Sequence, residues 1–581
     1  MATLKLTAFS GETPRVLPRL LAPTAAQHAE NVRLTSGGLD PVRRARLDHT
    51  ITGHASGSIQ TIYKNGSEWL EWETVVNAAP GPVAQDRLYY TGDGVPKMRV
   101  AATVYPLALP FPSAALVATV TGSGTGPVTD RLYARTFVTG FGEESEPCPL
   151  SNVAAWQAGQ SVTLSGFTLP PGGRNITKER IYRSQSSSTS TDLFFIAERN
   201  VSTADFVDTV AVDGFAGVIS STDWNTPPDA LQGLCAGANG MMAGFVGKDL
   251  YFSEPFRPHA WPEKYTETLD YEIVAIGSFG TTFVVMTTGL PYIFQGLNPE
   301  SMAQEKIDSN LPCINARGVM DLGYGVAYPS TDGLILVSGS GVSNATRDLM
   351  AREDWQATSP ATFVAGQYDG RYFASYAYSD SLGKAVQGTF IIDLTGESPF
   401  LIRASRYASA CHYSVLEGAL YMLTGLSVYQ WDAITEVPEI LMWKSKKFVL
   451  EAPAAFGAML IEGDDTLSTD DIAAQEASRL ALIAANASLF SGAGSIGGEL
   501  GGAAMGLYVI DGDAMQTPDP ERYAAISIFA DGVLVDTVST LNEAVRLKPI
   551  PRNRSWHVEV VGTASIAQIS MATTMRELNG V

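Results

Sequence analysis

The chain has 581 residues, of which 45% are hydrophobic and 17% are charged, and its formal net charge is −21. This length exceeds what one compact core holds, so two to four domains are expected. The negative charge disfavours binding to nucleic-acid phosphates or to anionic membranes. No run of about 18 apolar residues occurs and the N-terminus lacks the apolar core of a secretory signal, so we expect neither a membrane span nor a signal peptide.

Short strands separated by turns fill the first part of the chain. Residues 1–55 contain repeated prolines and predict an irregular segment that joins a larger domain. Residues 56–126 predict the first strands of that domain, a β-propeller, and a connector rich in Pro, Gly and Ser. In residues 127–228, about seven short strands predict an inserted β-sandwich of the fibronectin type III kind.

A hairpin and a proline-rich segment follow the predicted sandwich. Apolar runs on both sides of residues 247–249, a turn signal, predict the hairpin. The next segment, residues 253–262, contains three prolines and is called the strap; proline excludes a helix or a central strand, so we expect an extended strap. We interpret Phe256, His259 and Trp261 as structural anchors, and expect Phe256 and Trp261 to join one blade of the propeller to the next.

Groups of strands recur about every 40–50 residues from residue 229 to residue 436, which is typical of propeller blades. The repeats are too dissimilar to fix the number of blades. Residues 437–581 predict a C-terminal β-sandwich, interrupted at about residues 465–515 by a helix and a Gly-rich stretch. The helix either packs on its own domain or contacts another subunit. The predicted fold class is therefore all-β: a propeller with an inserted fibronectin III-like sandwich and a C-terminal sandwich that carries a helical insertion.

Patterns typical of catalysis or metal binding are missing from the sequence. Ser330, Asp332 and Gly333 form one partial Asp-box, which we interpret as a β-turn. The motifs of serine hydrolases, zinc metalloproteases and P-loop proteins do not occur, and the six histidines are scattered. The four cysteines are far apart, which favours single buried thiols over a disulfide or a zinc site. We predict no catalytic, cofactor-binding or metal-binding residue, and do not expect an enzyme.

Seven segments carry a resemblance to a known family. In chain order they are AENVRLTSGGLDPVRR, DRLYYTGDGVPKMR, RTFVTGFGEESEPCPLSN, GFVGKDLYFSEPFRPHAWPEKY, TTGLPYIFQGLNPESM, LPCINARGVMDLGYGVAYPSTDGLILV and SMATTMRELNGV. With these segments, which span nearly the whole chain, the protein resembles the tail nozzle (tail tubular protein B) family of short-tailed bacteriophages. The predicted helix and Gly-rich stretch are similar to an insertion in that family.

The resemblance implies a structural protein of the virion tail that is made in the host cytoplasm. It implies a homo-hexamer at the distal end of the tail, below a ring-shaped adaptor protein and beside tail fibres or spikes. Viral DNA would pass transiently through its lumen during ejection, without specific binding, and no cofactor is implied. The fold that the resemblance implies, a β-propeller with inserted sandwiches, agrees with the strand pattern.

The net charge suggests how DNA passes such a lumen. Each contact between a cation and a phosphate adds affinity through counterion release, so an acidic wall keeps DNA from adhering. We expect part of the negative charge to face the lumen, at Asp464, Asp465, Asp511 and Asp513. An alternative function is a carbohydrate-binding or carbohydrate-degrading β-propeller that acts at the host cell surface.

Overall fold

The computed structural model of the chain describes residues 3–84, 86–186, 191–211, 214, 216–379, 383–394, 399–464, 480–482, 484, 523–549 and 551–578. Strands dominate these residues, which confirms the predicted all-β class. Short helices lie between the strands or after the last one: the α-helices Arg352–Ala357 and Met575–Leu578, and the 3-10 helices Ala238–Gly240, Glu263–Tyr265, Pro299–Ser301, Ala316–Gly318 and Pro360–Thr362.

Within the described residues, seven antiparallel blades follow one another around a ring and form the predicted β-propeller; six are separate sheets and blade 6 is part of a larger one. In blades 1 to 6 the first strand lies innermost and the later strands follow outward in sequence order, whereas the outermost strand of blade 7 comes from the N-terminal segment. The strands are, for blade 1, Thr61–Asn65 and Glu68–Trp72; for blade 2, Asn77–Pro80, Arg87–Thr91, Lys97–Val100 and Thr103–Pro106; for blade 3, Gln232–Ala236, Met242–Val246, Asp249–Phe252 and Glu267–Thr268; for blade 4, Ile273–Phe279, Thr282–Thr287, Tyr292–Gln295 and Ala303–Lys306; for blade 5, Met320–Asp321, Gly325–Ser330, Gly333–Ser338 and Gly341–Asn344; for blade 6, Val364–Tyr368, Arg371–Ser379, Ala385–Asp393 and Phe400–Ala404; and for blade 7, Ala410–Ser414, Ala419–Thr424, Ser427–Gln430 and Arg46–Thr50.

The N-terminal strand Arg46–Thr50 completes the last blade. It pairs antiparallel with Ser427–Gln430 and is the outermost strand of blade 7. Blade 1 then fills the space between blades 7 and 2: Ile62 shares an apolar cluster with blade 7, and Trp72 contacts Tyr90 of blade 2 with ring centroids 5.4 Å apart.

An inserted β-sandwich lies between blades 2 and 3 in the sequence, as the fold class predicts. Tyr133, Val162 and Ile181 are fully buried in its core. Its described residues form three small sheets, which contain Val117–Thr121, Ser161–Ser165 and Phe206–Asp208; Thr125–Arg131 and Ala154–Ala158; and Tyr133–Thr139, Ile176–Ser186 and Thr191–Asn200.

Two further sheets pack together as the C-terminal sandwich, with Trp443 and Trp556 fully buried in the shared core. The second of these sheets is continuous with blade 6, because Glu30 pairs in parallel with Arg403. The strands are Thr3–Leu6, Ala458–Asp464, Val545–Arg546 and Ser565–Ala572 in the first sheet, and Ala26–Glu30, Leu441–Ser445, Phe448–Ala454, Ala524–Ala530, Val533–Val538 and Asn553–Gly562 in the second.

The N-terminal segment differs from the sequence prediction of an irregular stretch on the propeller. Thr3–Leu6 and Ala26–Glu30 are strands of the C-terminal sandwich, Val32–Arg33 pairs with Asp40–Pro41, and only the strand that ends at Thr50 joins a blade. The prolines between these short strands hide their alternating pattern. Residues 480–482 and 484 are helical, and the rest of the insertion predicted at about residues 465–515 lies outside the described residues.

Candidate functional site

The hairpin before the strap forms as predicted. Met242–Val246 and Asp249–Phe252 pair antiparallel with Val246 opposite Asp249, so that Gly247 and Lys248 make a two-residue turn. Gly247 has a φ of 60°, in the left-handed region that such turns require and that glycine adopts without strain. These strands are the second and third of blade 3, and they carry the strap to the end of the blade where the inserted sandwich lies.

Trp261 of the strap lies between two blades. Its side chain is 2% exposed and belongs to a buried cluster with Tyr89 of blade 2 and with Leu234 and Met242 of blade 3. The indole N–H donates a hydrogen bond to the backbone oxygen of Pro258 at 2.8 Å, so the one polar atom of the ring is satisfied. Trp261 thus removes apolar surface of both blades from water.

Phe256 lies nearer the surface and is 47% exposed. Its φ of 56° is in the left-handed region, which is uncommon for a residue other than glycine. The ring covers Gly240 of the same blade, where an added Cβ would come within 2.6 Å of the phenylalanine Cδ1. This contact lies within blade 3, so the predicted role of Phe256 between blades stays a prediction.

His259 connects the strap to the inserted sandwich. Its Nε2 donates a hydrogen bond to the backbone oxygen of Glu144 at 3.0 Å, and its ring meets Trp224 edge to face with centroids 5.7 Å apart. The Glu144 carboxylate accepts hydrogen bonds from the Tyr182 hydroxyl at 2.5 Å and from Arg180 at 2.6 Å. Burial lowers the pKa of His259 to about 4, so the imidazole is neutral at pH 7.

A buried ion pair lies beside His259. Glu143, adjacent to the residue that His259 contacts, pairs with Arg174 of the sandwich at 2.9 Å, and Arg87 of blade 2 lies 3.9 Å from its other oxygen. All three charged side chains are at most 12% exposed. Charge is costly to bury unless it is paired. The sandwich therefore keeps a fixed position on the propeller, in which Glu143 lies close to both arginines. We call Arg87, Tyr89, Glu143, Arg174 and His259 the junction cluster.

Several buried polar atoms of the junction cluster have no hydrogen-bond partner among the described residues. They are the Tyr89 hydroxyl oxygen, Glu143 Oε1, Arg174 Nε and Nη1, and His259 Nδ1. The set contains donors on the arginine and acceptors on the glutamate and the histidine. Water both donates and accepts, and it is the usual partner of such buried groups. The interface between propeller and sandwich is thus polar and charged.

A second feature links several blades of the propeller at the end where the inner strands begin. Arg317 precedes the inner strand of blade 5, and its Nη2 donates to the backbone oxygen of Gln60, before blade 1, at 2.9 Å. The same atom also donates to the backbone oxygen of Ser409, before blade 7. The 3-10 helix that carries Arg317 packs on the start of blade 6, so this one side chain links the inner ends of blades 6, 7 and 1. Burial lowers the pKa of Arg317.

The predicted acidic residues are not brought together by the described structure. Asp464 is the last residue of the strand Ala458–Asp464. Asp465, Asp511 and Asp513 lie outside the described residues. A lumen-facing position for these four carboxylates therefore stays a prediction.

The described residues contain no group of three or more His, Cys, Asp and Glu side chains arranged to hold a metal ion. Each cysteine is a free thiol: Cys148, Cys235, Cys313 and Cys411. Burial raises the pKa of Cys235 to about 11 and the pKa values of Cys313 and Cys411 to about 12, so these thiols stay protonated at neutral pH. In the same part of the chain, no helix has the length and apolarity to cross a bilayer.

Sequence reasoning identified the strap but missed its charged partners. Glu143 and Arg174 are separated in the sequence by two strands and their loops, and both are buried in the structure. A signal was available in the acidic run Glu143-Glu144 beside glycine and proline, because such a run next to predicted strands needs cations nearby if it is buried. Which cations those are depends on the fold.

No family model matches the chain, and no curated protein matches it. Among solved structures, BamB from Moraxella catarrhalis is 13% identical over 39% of this chain and 90% of its own, with a TM-score of 0.19. An exo-beta-1,3-galactanase from Phanerochaete chrysosporium is 10% identical over 70% of this chain and 94% of its own, with a TM-score of 0.22. PorZ, a surface component of the type-IX secretion system of Porphyromonas gingivalis, is 10% identical over 68% of this chain and 44% of its own, with a TM-score of 0.20. At these scores the likenesses carry no argument about function.

Proposed function

We propose that the protein is a structural component of a bacteriophage tail and forms the distal nozzle through which DNA leaves a short tail. The observation that carries this proposal is the meeting of three of the resembling segments at one place. DRLYYTGDGVPKMR contains Arg87 and Tyr89, RTFVTGFGEESEPCPLSN contains Glu143, and the strap segment contains His259. These residues belong to the junction cluster. Three of the segments that carry the resemblance thus meet at the interface between the propeller and the inserted sandwich. An interface without a predicted catalytic residue suits a structural protein.

The propeller axis supports a conduit made by several copies. The inner strands of adjacent blades contact one another around the axis, and Arg317 adds hydrogen bonds to the segments before blades 1 and 7. A channel enclosed this closely is too narrow for a DNA duplex, so DNA cannot pass along the axis of a single propeller. A lumen large enough for DNA has to lie between neighbouring copies, which fits the homo-hexamer implied by the resemblance.

The charge of the chain supports passage without adhesion. With a formal net charge of −21, most of the surface repels phosphate, and the affinity of the wall for DNA is low at physiological salt. The proposal includes a ring-shaped adaptor above the nozzle and fibres or spikes beside it. It places the four predicted acidic residues, Asp464, Asp465, Asp511 and Asp513, at the lumen wall.

Immunogold labelling tests this proposal. An antibody raised against the recombinant chain is applied to purified virions of the virus that encodes it, with pre-immune serum as the control. We expect gold particles at the free end of the tail. Labelling of the capsid, or no labelling of virions in which the antibody detects the denatured protein, overturns the proposal.

Gel filtration adds a second measurement. We expect a defined ring, either of the protein alone or together with the adaptor. A monomer alone does not decide the matter, because nozzle proteins can be monomeric before assembly.

The alternative function is a carbohydrate-binding or carbohydrate-degrading β-propeller that acts at the host cell surface. Degradation needs two carboxylates on opposite sides of a glycosidic bond. Incubation of the purified protein with capsule or lipopolysaccharide, followed by an assay for new reducing ends, distinguishes it from the nozzle. New reducing ends produced by a monomeric protein favour the enzyme.

A further inference from the structure

We propose that a pocket between blades 6 and 7 binds a neutral saccharide. The pocket has a volume of about 360 Å³, which is within the range of small-molecule sites in proteins. This binding function goes beyond the proposed role in the tail and does not depend on it. The lining residues that carry the argument are Arg33, Tyr368, Asp369, Arg371, Tyr413 and Trp431.

The two blades and the N-terminal segment build this pocket together. Tyr368 is the last residue of the inner strand of blade 6, and Tyr413 lies near the end of the inner strand of blade 7. Trp431 follows the third strand of blade 7 and packs edge to face on Phe373 at 5.7 Å, so two buried rings form an apolar floor. Arg33 belongs to a strand that precedes the propeller and closes one side. A rigid apolar floor under a polar rim is the usual form of a small-molecule site.

The charges of the pocket argue for a neutral guest. Arg33 pairs with Asp432 at 3.2 Å, and Arg371 pairs with Asp393 at 2.8 Å, so carboxylates already neutralise both guanidinium groups. Asp369 is exposed on the rim and has no ion pair within the described part of the chain. A phosphate or a carboxylate guest would meet this unpaired negative charge without an unpaired cation to offset it.

The hydrogen-bonding groups of the rim suit hydroxyl groups. Tyr368 and Tyr413 are half-buried residues, and the hydroxyl group of neither has a hydrogen-bond partner among the described residues. A phenol donates and accepts, and the Asp369 carboxylate accepts. Saccharide hydroxyls donate and accept in the same way, and the C–H face of a sugar ring packs on aromatic rings. A neutral polyhydroxyl compound with an apolar face therefore matches the rim and the floor together.

The geometry supports binding without cleavage. Glycoside hydrolysis uses one carboxyl group as the acid and a second as the nucleophile or base. Of the two carboxylates that line the pocket, Asp432 accepts hydrogen bonds from Arg33 and from the backbone N–H of Arg43 at 2.8 Å. Only Asp369 is left to face a guest, so the pocket lacks the pair.

Ligand-detected NMR with the full-length chain tests the proposal. The probes are methyl α-glucoside, methyl β-galactoside, N-acetylglucosamine and maltotriose at up to about 10 mM, a range set by the weak binding of single sugars. Glucuronic acid and glucose 6-phosphate serve as charged probes. We expect saturation transfer to at least one neutral sugar and weaker transfer to the charged probes. Transfer to none of the neutral sugars, or a stronger signal from the charged ones, overturns the proposal.

Three variants locate the binding. Tyr368→Phe and Tyr413→Phe each remove one hydroxyl, and each is expected to weaken binding about three- to tenfold, as one lost hydrogen bond does. Asp369→Asn keeps the turn, because Asp369 has a φ of 54° and asparagine tolerates that region. This substitution removes the negative charge. Binding of a neutral sugar is therefore expected to weaken, and binding of the two charged probes to strengthen.

A matched control is available in the C-terminal sandwich. Asp531 occupies the same kind of Asp-Gly turn, with a φ of 46°, far from the pocket in the hairpin of Ala524–Ala530 and Val533–Val538. Asp531→Asn is expected to bind sugar as the unaltered chain does. Equal losses in Asp369→Asn and Asp531→Asn, or unchanged binding in all three pocket variants, place the sugar elsewhere and contradict the proposal.

Discussion

His259 donates a hydrogen bond to the backbone oxygen of Glu144 at 3.0 Å, and this bond joins the strap of blade 3 to the inserted sandwich. Burial keeps the imidazole neutral, with a pKa of about 4. The donor nitrogen is fixed by the carbonyl, so the other ring nitrogen, Nδ1, is an acceptor inside the junction cluster. The interface between the two modules is therefore coupled to the protonation state of one residue.

Acidification is expected to destabilise the protein through this histidine. The pKa of His259 is about 4 in the folded protein and about 6.5 in the unfolded chain. Between these two pH values the unfolded chain binds more protons than the folded protein, so the free energy of unfolding falls as pH drops from about 6.5 to about 4. The full loss attributable to His259 is about 3 kcal/mol. Melting temperatures measured across this range check the expectation. His259→Gln removes the titration and should flatten the curve; an equally steep curve in that variant contradicts it.

A second histidine acts in the opposite direction. His28 lies between Glu12 at 3.3 Å and Glu30 at 3.2 Å, and hydrogen bonds to these carboxylates raise its pKa to about 9. Its contribution to stability is present below pH 6.5 and is lost as pH rises through about 9. The melting temperature should therefore fall between pH 7 and pH 9.5, and His28→Gln should remove most of this decline. A decline of unchanged size in the variant would rule out His28 as its source.

Trp261→Ala is expected to lower the free energy of unfolding by about 3–5 kcal/mol, because it removes a large buried side chain from the interface of blades 2 and 3. Thermal denaturation and assembly assays measure the effect. Phe256→Ala is the matched comparison from the same strap, and its half-exposed ring predicts a much smaller change. Similar melting curves for the unaltered chain and Trp261→Ala would refute the role of the tryptophan.

The core of the inserted sandwich contains a buried charge network whose removal should be costly. Glu179 pairs with Arg135 at 2.7 Å and with Arg199 at 2.7 Å, and the side chains of Glu179 and Arg135 are fully buried. Glu179→Gln leaves two cations without their partner and is expected to cost about 3–5 kcal/mol. Limited proteolysis of the sandwich, followed by mass spectrometry, reports this loss locally.

Glu198→Gln is the control for that variant. Glu198 pairs with Lys178 and Arg180 on the surface of the same sandwich, where ion pairs contribute about 0–1 kcal/mol. Equal sensitivity of the two variants to protease would contradict the importance of the buried network.

Local patterns allowed much of the fold to be predicted. The turn at Gly247 and Lys248, the strand groups of the propeller and the all-β class all follow from alternation and turn residues within a few positions. The number of blades did not follow, because blade 1 has two strands and blade 7 takes its last strand, Arg46–Thr50, from the N-terminal segment. Neither irregularity can be recognised from the spacing of the strand groups along the sequence.

The junction cluster was beyond sequence reasoning for a related reason. The aromatic and proline residues of the strap mark it as structural, but Arg87, Glu143 and Arg174 come from three separate parts of the chain. Charged residues in strands and loops are usually solvated, so nothing local distinguishes a buried arginine from an exposed one. The same holds for Arg317, whose partners are backbone carbonyls that have no signature in the side-chain sequence.

The pairing of Arg46–Thr50 with Ser427–Gln430 has a consequence for the order of events during synthesis. The ribosome adds roughly 5–20 residues per second, so the N-terminal strand waits for tens of seconds before its partner leaves the exit tunnel. During that time blades 1 to 6 exist as an open arc with an unpaired end, which is prone to pair with a neighbouring chain. Slow translation or crowding of nascent chains on one messenger RNA should therefore favour strand-swapped oligomers over the closed monomer.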